Sequence, residues 1–308
     1  MPEARIMVAI PTFRRPRGLT RLLASLALLE GGRDITIVIA ENDPEGGAGR
    51  LAARAVCEAG YPHRVDVLDV PAPGIARARN ALLDRFHETP TASHLAMLDD
   101  DQWVGPGWLE ALLEMQTRTG ADIVGGWTIP DFAGPVPAWS RGLELYWRRR
   151  RANGLCGPLT GAGGVLLARK SLARAQGLRF SDAFSATGGE DKAFFAALGA
   201  AGARFAFASD ARTYETIPPE RADRDWASRR AAGIGQVDTT LALAAGPRAA
   251  AEAVLRLPLG LAAGWAGLAL SRGDGARAMK ARLRLARAAG RLEGLRTAIA
   301  RGHERAAR

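Results

Sequence analysis

The feature that most constrains this chain is an alternation of short, almost wholly apolar runs with segments whose leucines return at helical spacing. Ile6–Ile10, Ile35–Ile39, Val65–Val70 and His94–Leu98 are the apolar runs. After the first, Leu19, Leu22, Leu23, Leu26 and Leu29 recur at steps of three and four, and Ile75–Phe86 predicts another helix. Strands that are apolar at nearly every position are buried on both faces, so the pattern predicts an α/β fold with a mostly parallel sheet and helices on both sides. Ligands on such sheets gather at the carboxyl ends of the strands. Three polar segments stand there: Pro11-Thr12-Phe13, with Pro11 expected to stop the first strand, Glu41-Asn42-Asp43, and Asp99-Asp100-Asp101.

Three consecutive carboxylates after a buried strand repel one another unless a cation neutralises them. In an extended segment alternate residues point the same way, so Asp99 and Asp101 would share one ion while Asp100 faces elsewhere. Oxygen ligands of this kind suit Mg2+ or Mn2+, which also take diphosphate oxygens. The other reading is a solvated acidic turn. Glu190-Asp191 follows two glycines and opens a helical segment. Either it supplies a general base, or its acids complement a helix N-terminus. Arg77, Arg79 and Asn80 follow Gly74, and the two arginines either meet a phosphate or lie on an exposed helix face.

Cys57 and Cys156 make no disulfide framework, and His63, His87, His94 and His303 show no metal-ligand spacing. Met1–Arg5 leads at once into an apolar strand, which predicts no signal peptide and a cytoplasmic location. Of the net charge of +10, residues 272–308 hold eleven Lys/Arg and three Asp/Glu, leaving residues 1–271 nearly neutral. That balance excludes a nucleic-acid-binding body and makes the tail the basic element.

Ile10-Pro-Thr-Phe-Arg-Arg-Pro16, Glu41-Asn42-Asp43-Pro44, Gly74 with Arg79-Asn80, Asp99-Asp100-Asp101, Thr160-Gly161-Ala162-Gly163 and Gly188-Gly189-Glu190-Asp191 come in a telling order. In that order and spacing they resemble glycosyltransferase family 2. Tyr214-Glu215 through Arg221 resembles the variant in bacterial exopolysaccharide transferases of the succinoglycan type. The likeness covers roughly residues 5–236. It implies a GT-A fold, an inverting mechanism and a UDP-sugar donor. By the same resemblance Pro11, Thr12 and Arg14 line the nucleotide pocket, Glu41 and Asn42 contact uracil and ribose, and Arg79 lies near the nucleotide. Asp99 and Asp100 meet sugar, ribose or metal, Asp101 is the principal metal ligand, and Asp191 is the base beside Glu190. The chain departs from the family in having Glu41-Asn42 where many members carry two aspartates. It also lacks the downstream histidine that often completes the metal shell, a place Glu215 would take.

Trp127, Trp139, Tyr146 and Trp147 lie in a Gly- and Pro-rich stretch where an acceptor would dock, or where aromatic rings are simply buried. Arg148–Arg151 would meet a lipid diphosphate or remain a solvated loop. The chain divides on this reading into a catalytic domain, 1–240, and a basic helical region, 241–308. Leu257–Leu270 carries no charge but is too short to span a bilayer. Arg277, Lys280, Arg284, Arg287 and Arg291 form one stripe on a helix, suited to an anionic membrane face that bears a lipid-linked acceptor, or else to solvent over a packed helix. An oxidoreductase or a nucleotidyltransferase would need a glycine-rich loop after the first strand, where Pro11-Thr12-Phe13 stands instead. A sugar-nucleotide-binding scaffold would not need both the acidic triplet and Asp191.

Overall fold

In the computed structural model, residues 4–29, 34–43, 45–161, 163–174, 177–184, 187–272 and 274–306 are described; Pro44 and Ala162 of the motifs above lie outside them. The chain forms two compact units. The first comprises Met1–Asp131, Arg149–Ser185 and Glu190–Thr216, and the second Phe132–Arg148, Ala186–Gly189 and Ile217–Arg308.

The first unit opens with β1 (Ile6–Thr12), α1 (Pro16–Leu26), β2 (Ile35–Glu41), α2 (Ala48–Glu58), β3 (Arg64–Asp69), α3 (Ile75–Glu88) and β4 (His94–Met97). It continues with β5 (Gln102–Val104), α4 (Trp108–Thr119), β6 (Ile123–Phe132), β7 (Gly154–Cys156), β8 (Val165–Ala168), α5 (Arg169–Arg174), α6 (Glu190–Ala200) and β9 (Phe205–Ile217). Among the described residues the sheet has the order β3-β2-β1-β4-β8-β6-β9-β5, with β7 on β9. The pairs among β1, β2, β3 and β4 are parallel, and β8 pairs antiparallel with β4 and β6.

Both faces of β1, β2 and β4 are buried, as their apolar runs require, while β3 at the sheet edge, with Asp66 and Asp69, stays partly exposed. Ile6, Val8 and Ile10 pack with the leucines of α1 and with Trp108 and Leu112 of α4, while Met7 and Ala9 pack with Leu82 and Phe86 of α3 and Phe194 of α6. The α/β expectation holds. One detail differs: Pro11 does not stop β1 but stays in it, opposite Ala40 of β2. The pairing of β1 with β4 ends at Ala9, whose carbonyl accepts from the Leu98 N–H. Alternate residues of a strand point the same way, so Pro11 turns its missing N–H toward an edge where no ladder bond is due.

The second unit is mainly α7 (Arg224–Ala244), α8 (Pro247–Ala269) and α9 (Gly275–Ala306). Asp223 caps α7 by accepting from the N–H groups of Asp225 and Trp226, each at 2.9 Å. That satisfies two of the donors a helix start leaves unpaired. Glycines bring the helices together: a Cβ at Gly290 of α9 would run into the Ala232 carbonyl of α7, and one at Gly235 of α7 into the Arg287 carbonyl of α9. Leu143, Tyr146, Ile217, Ala227 and Met279 form a small core here, flanked by Phe132, Trp139 and Trp226.

Candidate active site

After β4 the chain reverses, because the Gln102 N–H donates to the Asp99 carbonyl at 3.0 Å. The acidic triplet is therefore a turn, and the alternation expected of an extended segment does not apply. Asp100 and Asp101 converge instead on one guanidinium: Arg15 Nη1 lies 3.0 Å from Asp100 Oδ1 and 2.9 Å from Asp101 Oδ2. Asp100 is buried, and its Oδ2 accepts from the Thr12 hydroxyl at 3.0 Å and the Phe13 N–H at 3.2 Å. Burial pushes the Asp100 carboxyl up to about 6, against the pull of Arg15. Burial alone would lower Arg15, but Asp100 and Asp101 outweigh it and raise it. Sequence reasoning named Arg14 and missed Arg15. The available signal was a second arginine after β1 facing a turn of three acids.

Two glycines let the backbone close on this turn. A Cβ at Gly18 would meet the Asp100 carbonyl, and one at Gly163 would meet the Gln102 carboxamide, whose Oε1 accepts the Asp99 N–H at 3.1 Å. Gly163, and Gly164 against Thr213, thus serve close approach. β9 runs antiparallel to β5 with Glu215 opposite Gln102, and the Thr216 N–H donates to the Asp101 carbonyl at 2.8 Å. Glu215 therefore sits on the strand beside the acidic turn. Among the described residues no group of three or more His, Cys, Asp or Glu side chains is gathered as a metal cage.

Arg79 is the second cation of the site, and the buried one. From α3 its Nη2 reaches Asp99 Oδ1 at 2.8 Å and its Nη1 reaches Glu190 Oε1 at 2.6 Å, with its side chain 5 % exposed. Burial would lower Arg79, but Asp99, Asp191 and Glu190 together raise it. Glu190 is raised by burial in spite of Arg79. Arg79 Nε and Glu190 Oε2 are buried without a hydrogen-bond partner among the described residues. Asn80 holds Phe180 through both backbone groups, at 2.9 Å and 2.8 Å, and the Arg79 guanidinium lies over the Phe180 ring. Asp191 stands in the first turn of α6, half-buried, with Oδ1 accepting from the Lys192 N–H at 2.7 Å. Arg77 is on the outside, against Asp182 at 3.2 Å.

The residues after β2 are occupied with the fold. Buried Glu41 accepts from the Asp43 N–H and from the Arg50 N–H in the first turn of α2, each at 3.0 Å. Asn42 donates to the carbonyls of Val70 and Ala72 and accepts from the Gly74 N–H at 2.7 Å. It thereby sets where α3, and so Arg79, begins. Arg14 has φ 55°, a rare conformation for a residue with a side chain, and reaches Asp43 at 3.2 Å. The Arg14 hydrogen bond holds the Asp43 carboxyl below the usual carboxylate range.

The aromatic stretch divides. Trp127 is on β6 with Arg150 over its ring; Arg150 also binds Asp210 at 2.9 Å, and Arg151 lies over Phe207. These two arginines are not a free basic loop. Trp139, Tyr146 and Trp147 belong to the second unit, where Tyr146 contacts Phe132, Trp139 and Trp226.

Residues 7–175 match Glycosyl transferase family 2. The chain is 33 % identical over 242 residues to the succinoglycan biosynthesis protein ExoM of Rhizobium meliloti, covering 75 % of this chain and 73 % of the relative. Among solved structures, a mannosyltransferase from Pyrobaculum calidifontis in complex with GDP-Man and Mn2+ superposes with a TM-score of 0.66 at 17 % identity, covering 95 % of this chain and 87 % of that one. S. aureus TarS (1–349) with UDP-GlcNAc superposes with a TM-score of 0.52 at 14 % identity, over 96 % and 92 % of the two chains. The GT-A fold expected from the motifs is thereby borne out.

Proposed function

This chain belongs to glycosyl transferase family 2, and on that premise we propose that it moves a sugar from a UDP-sugar to a hydroxyl acceptor in exopolysaccharide synthesis, with inversion at the anomeric carbon. The observation that carries the reading is the pairing of the Asp99-Asp100-Asp101 turn with the start of α6 through one buried arginine, Arg79. An ion-paired turn at a strand end and a carboxylate at a helix start are the two halves such a transfer needs.

The donor atoms here are hard carboxylate oxygens from Asp99 and Asp101, with Glu215 on the neighbouring strand. A small divalent ion is commonly held by one or two carboxylates plus substrate phosphates, so this set fits Mn2+ or Mg2+ without a complete protein cage. Such an ion, when bound, neutralises the diphosphate and makes it a better leaving group. The mannosyltransferase with GDP-Man and Mn2+ supports the reading by likeness of fold.

The chain's own residues do the rest. Pro11, Thr12 and Arg14 line the nucleotide side, and Arg15 keeps Asp100 and Asp101 from repelling each other before the donor arrives. Glu41 and Asn42 serve the donor by fixing the pocket walls, since their polar atoms are already engaged. Arg79 binds Glu190 and is also acted on by Asp191, and we assign to Asp191, in the first turn of α6, the part of taking the proton from the acceptor hydroxyl. That oxygen attacks the anomeric carbon as the bond to the diphosphate breaks, and a single displacement inverts configuration. The acceptor of this reading is lipid-linked, presented at the inner face of an anionic membrane on which the basic second unit rests.

Incubating the chain with a panel of nucleotide sugars, with Mn2+ or with chelator, tests the reading. Release of UDP that requires metal is the expected result. Release of GDP alone would move the donor class to GDP-sugars, and release from no member of the panel would sink the reading.

A further inference from the structure

Helix α8 is built inside out for a helix in water. Its side toward α9 is made of glycines: a Cβ at Gly264 would come within 2.5 Å of Leu285, one at Gly267 within 3.0 Å of Ala281, and one at Gly260 within 3.6 Å of Ala288. Its large apolar side chains point the other way, with Leu255, Leu259, Trp265 and Leu270 between 65 % and 68 % exposed and Val254 and Leu261 exposed beside them. A surface helix of a water-soluble protein carries its apolar stripe inward. Small residues between helices with large apolar residues outward is the arrangement of helices packed in lipid.

The charges complete the pattern. Residues 257–270 carry none, while Arg248 and Arg256 precede them, both against Glu252, and Arg272, Arg277, Lys280, Arg282 and Arg284 follow, with Arg277 against Asp274; all are exposed, and the flanks keep an excess of cations. The five-residue stripe expected from the sequence is thinner than it seemed. Arg287 binds Asp238 of α7 at 2.5 Å, and Arg291 reaches the same carboxylate and the Arg256 carbonyl. Of the stripe, Lys280 and Arg284 remain toward solvent, and exposed Arg277 pairs with Asp274 at 3.3 Å. No described helix is long and apolar enough to cross a membrane. An apolar face flanked by cations that does not span is suited to lying in the plane of an anionic bilayer. A second copy of the chain would bring the same excess of positive charge to the same face, whereas anionic headgroups complement it.

We propose that α8 is the membrane-inserting element of this protein, with Leu255, Leu259, Trp265 and Leu270 seated among the acyl chains of an anionic bilayer and the flanking arginines at its phosphates. The inference deepens the membrane reading above: the packing of α8 supplies the apolar face, and the cations that flank it choose the anionic surface.

Flotation of the full chain with vesicles of equimolar phosphatidylcholine and phosphatidylglycerol tests it, against vesicles of phosphatidylcholine alone. The comparison variant carries Leu255→Ser, Leu259→Ser and Trp265→Ser, all at exposed positions, with its melting curve recorded as a check of folding. The wild type is expected to float with the anionic vesicles, and the variant to partition at least about tenfold less at equal melting temperature. Brominated lipid should quench wild-type tryptophan fluorescence and do so clearly less in Trp265→Phe. Equal flotation of wild type and variant would overturn the proposal and leave binding to the basic helix alone. A wild-type dimer that the variant dissociates, with neither floating, would overturn it in favour of a second copy. Donor turnover is measured on the same samples: if it is absent while flotation and quenching follow the proposal, the donor reading fails and the membrane element stands.

Discussion

The acidic turn after β4 and the helix α8 each break an ordinary rule of burial, in opposite directions. The first unit takes charge out of water: Asp100, Arg79 and Glu190 are buried at one end of the sheet. The second leaves apolar surface in water along α8 and buries glycine instead. Burying charges is costly unless they are mutually paired, and the first unit meets that cost with Arg15 and Arg79 placed between four carboxylates. Exposed leucines cost the fold little but are available to something else. The difference teaches where each unit's function lies. On the proposals above, one holds charges in place ahead of a substrate and the other keeps a surface for a membrane.

If the first unit is organised by its charges, removing them should hurt far more than removing side chains from α8. Asp191→Asn should cut turnover by about 10²–10⁴-fold, the usual scale for general acid–base help, with donor affinity nearly unchanged. Near-normal turnover of Asp191→Asn with collapse of Glu190→Gln would assign the base to Glu190 and break the role given to Arg79. Arg79→Met should leave Asp99 and Glu190 unpaired and lower stability by about 3–5 kcal/mol, the scale for breaking a buried ion pair. Denaturant titration reads that directly, and a loss no larger than a surface substitution would mean the network is not structural.

The smaller effects sharpen the other side. Gly264→Leu should force α8 off α9 and cost about 1–3 kcal/mol in the same titration, as overpacking does. An unchanged midpoint would show that the two helices do not depend on this contact. Leu259→Ser should shift stability by less than about 0.5 kcal/mol, as surface changes usually do. A larger loss would mean that α8 buries this side chain in solution.

Much of the first unit was legible because its signals are local. The nearly continuous apolar runs of β1, β2 and β4 mark strands covered on both faces, and leucines at three- and four-residue steps mark α1. The acidic turn was located but its geometry was not. Whether 99–101 is extended or reversed depends on Gln102 and on glycines at positions 18 and 163, which are distant in sequence. Arg15 was missed for the same reason, since its partners lie 85 and 86 residues away. Asn42 illustrates a different limit: its residue type suits a ligand contact, yet three backbone groups between 70 and 74 claim its carboxamide. In the tail, all of the charge-free stretch but Leu270, which caps the helix, lies in the longer α8, which passes through Pro258. The basic stripe was visible from spacing, but the pairing of Arg287 with Asp238 needed the packing of α7 on α9.

The central claim is that the turn after β4 holds a divalent ion together with the donor's diphosphate, and Asp101→Asn tests it most directly. The substitution removes a charge without changing volume. Titrating Mn2+ into wild type and variant in the presence of UDP, alongside donor turnover, gives both readouts on one pair of samples. The account predicts that the wild type binds Mn2+ and turns over donor, while the variant stays folded, loses Mn2+ binding and loses metal-dependent turnover. Wild-type Mn2+ binding and turnover in Asp101→Asn would contradict it.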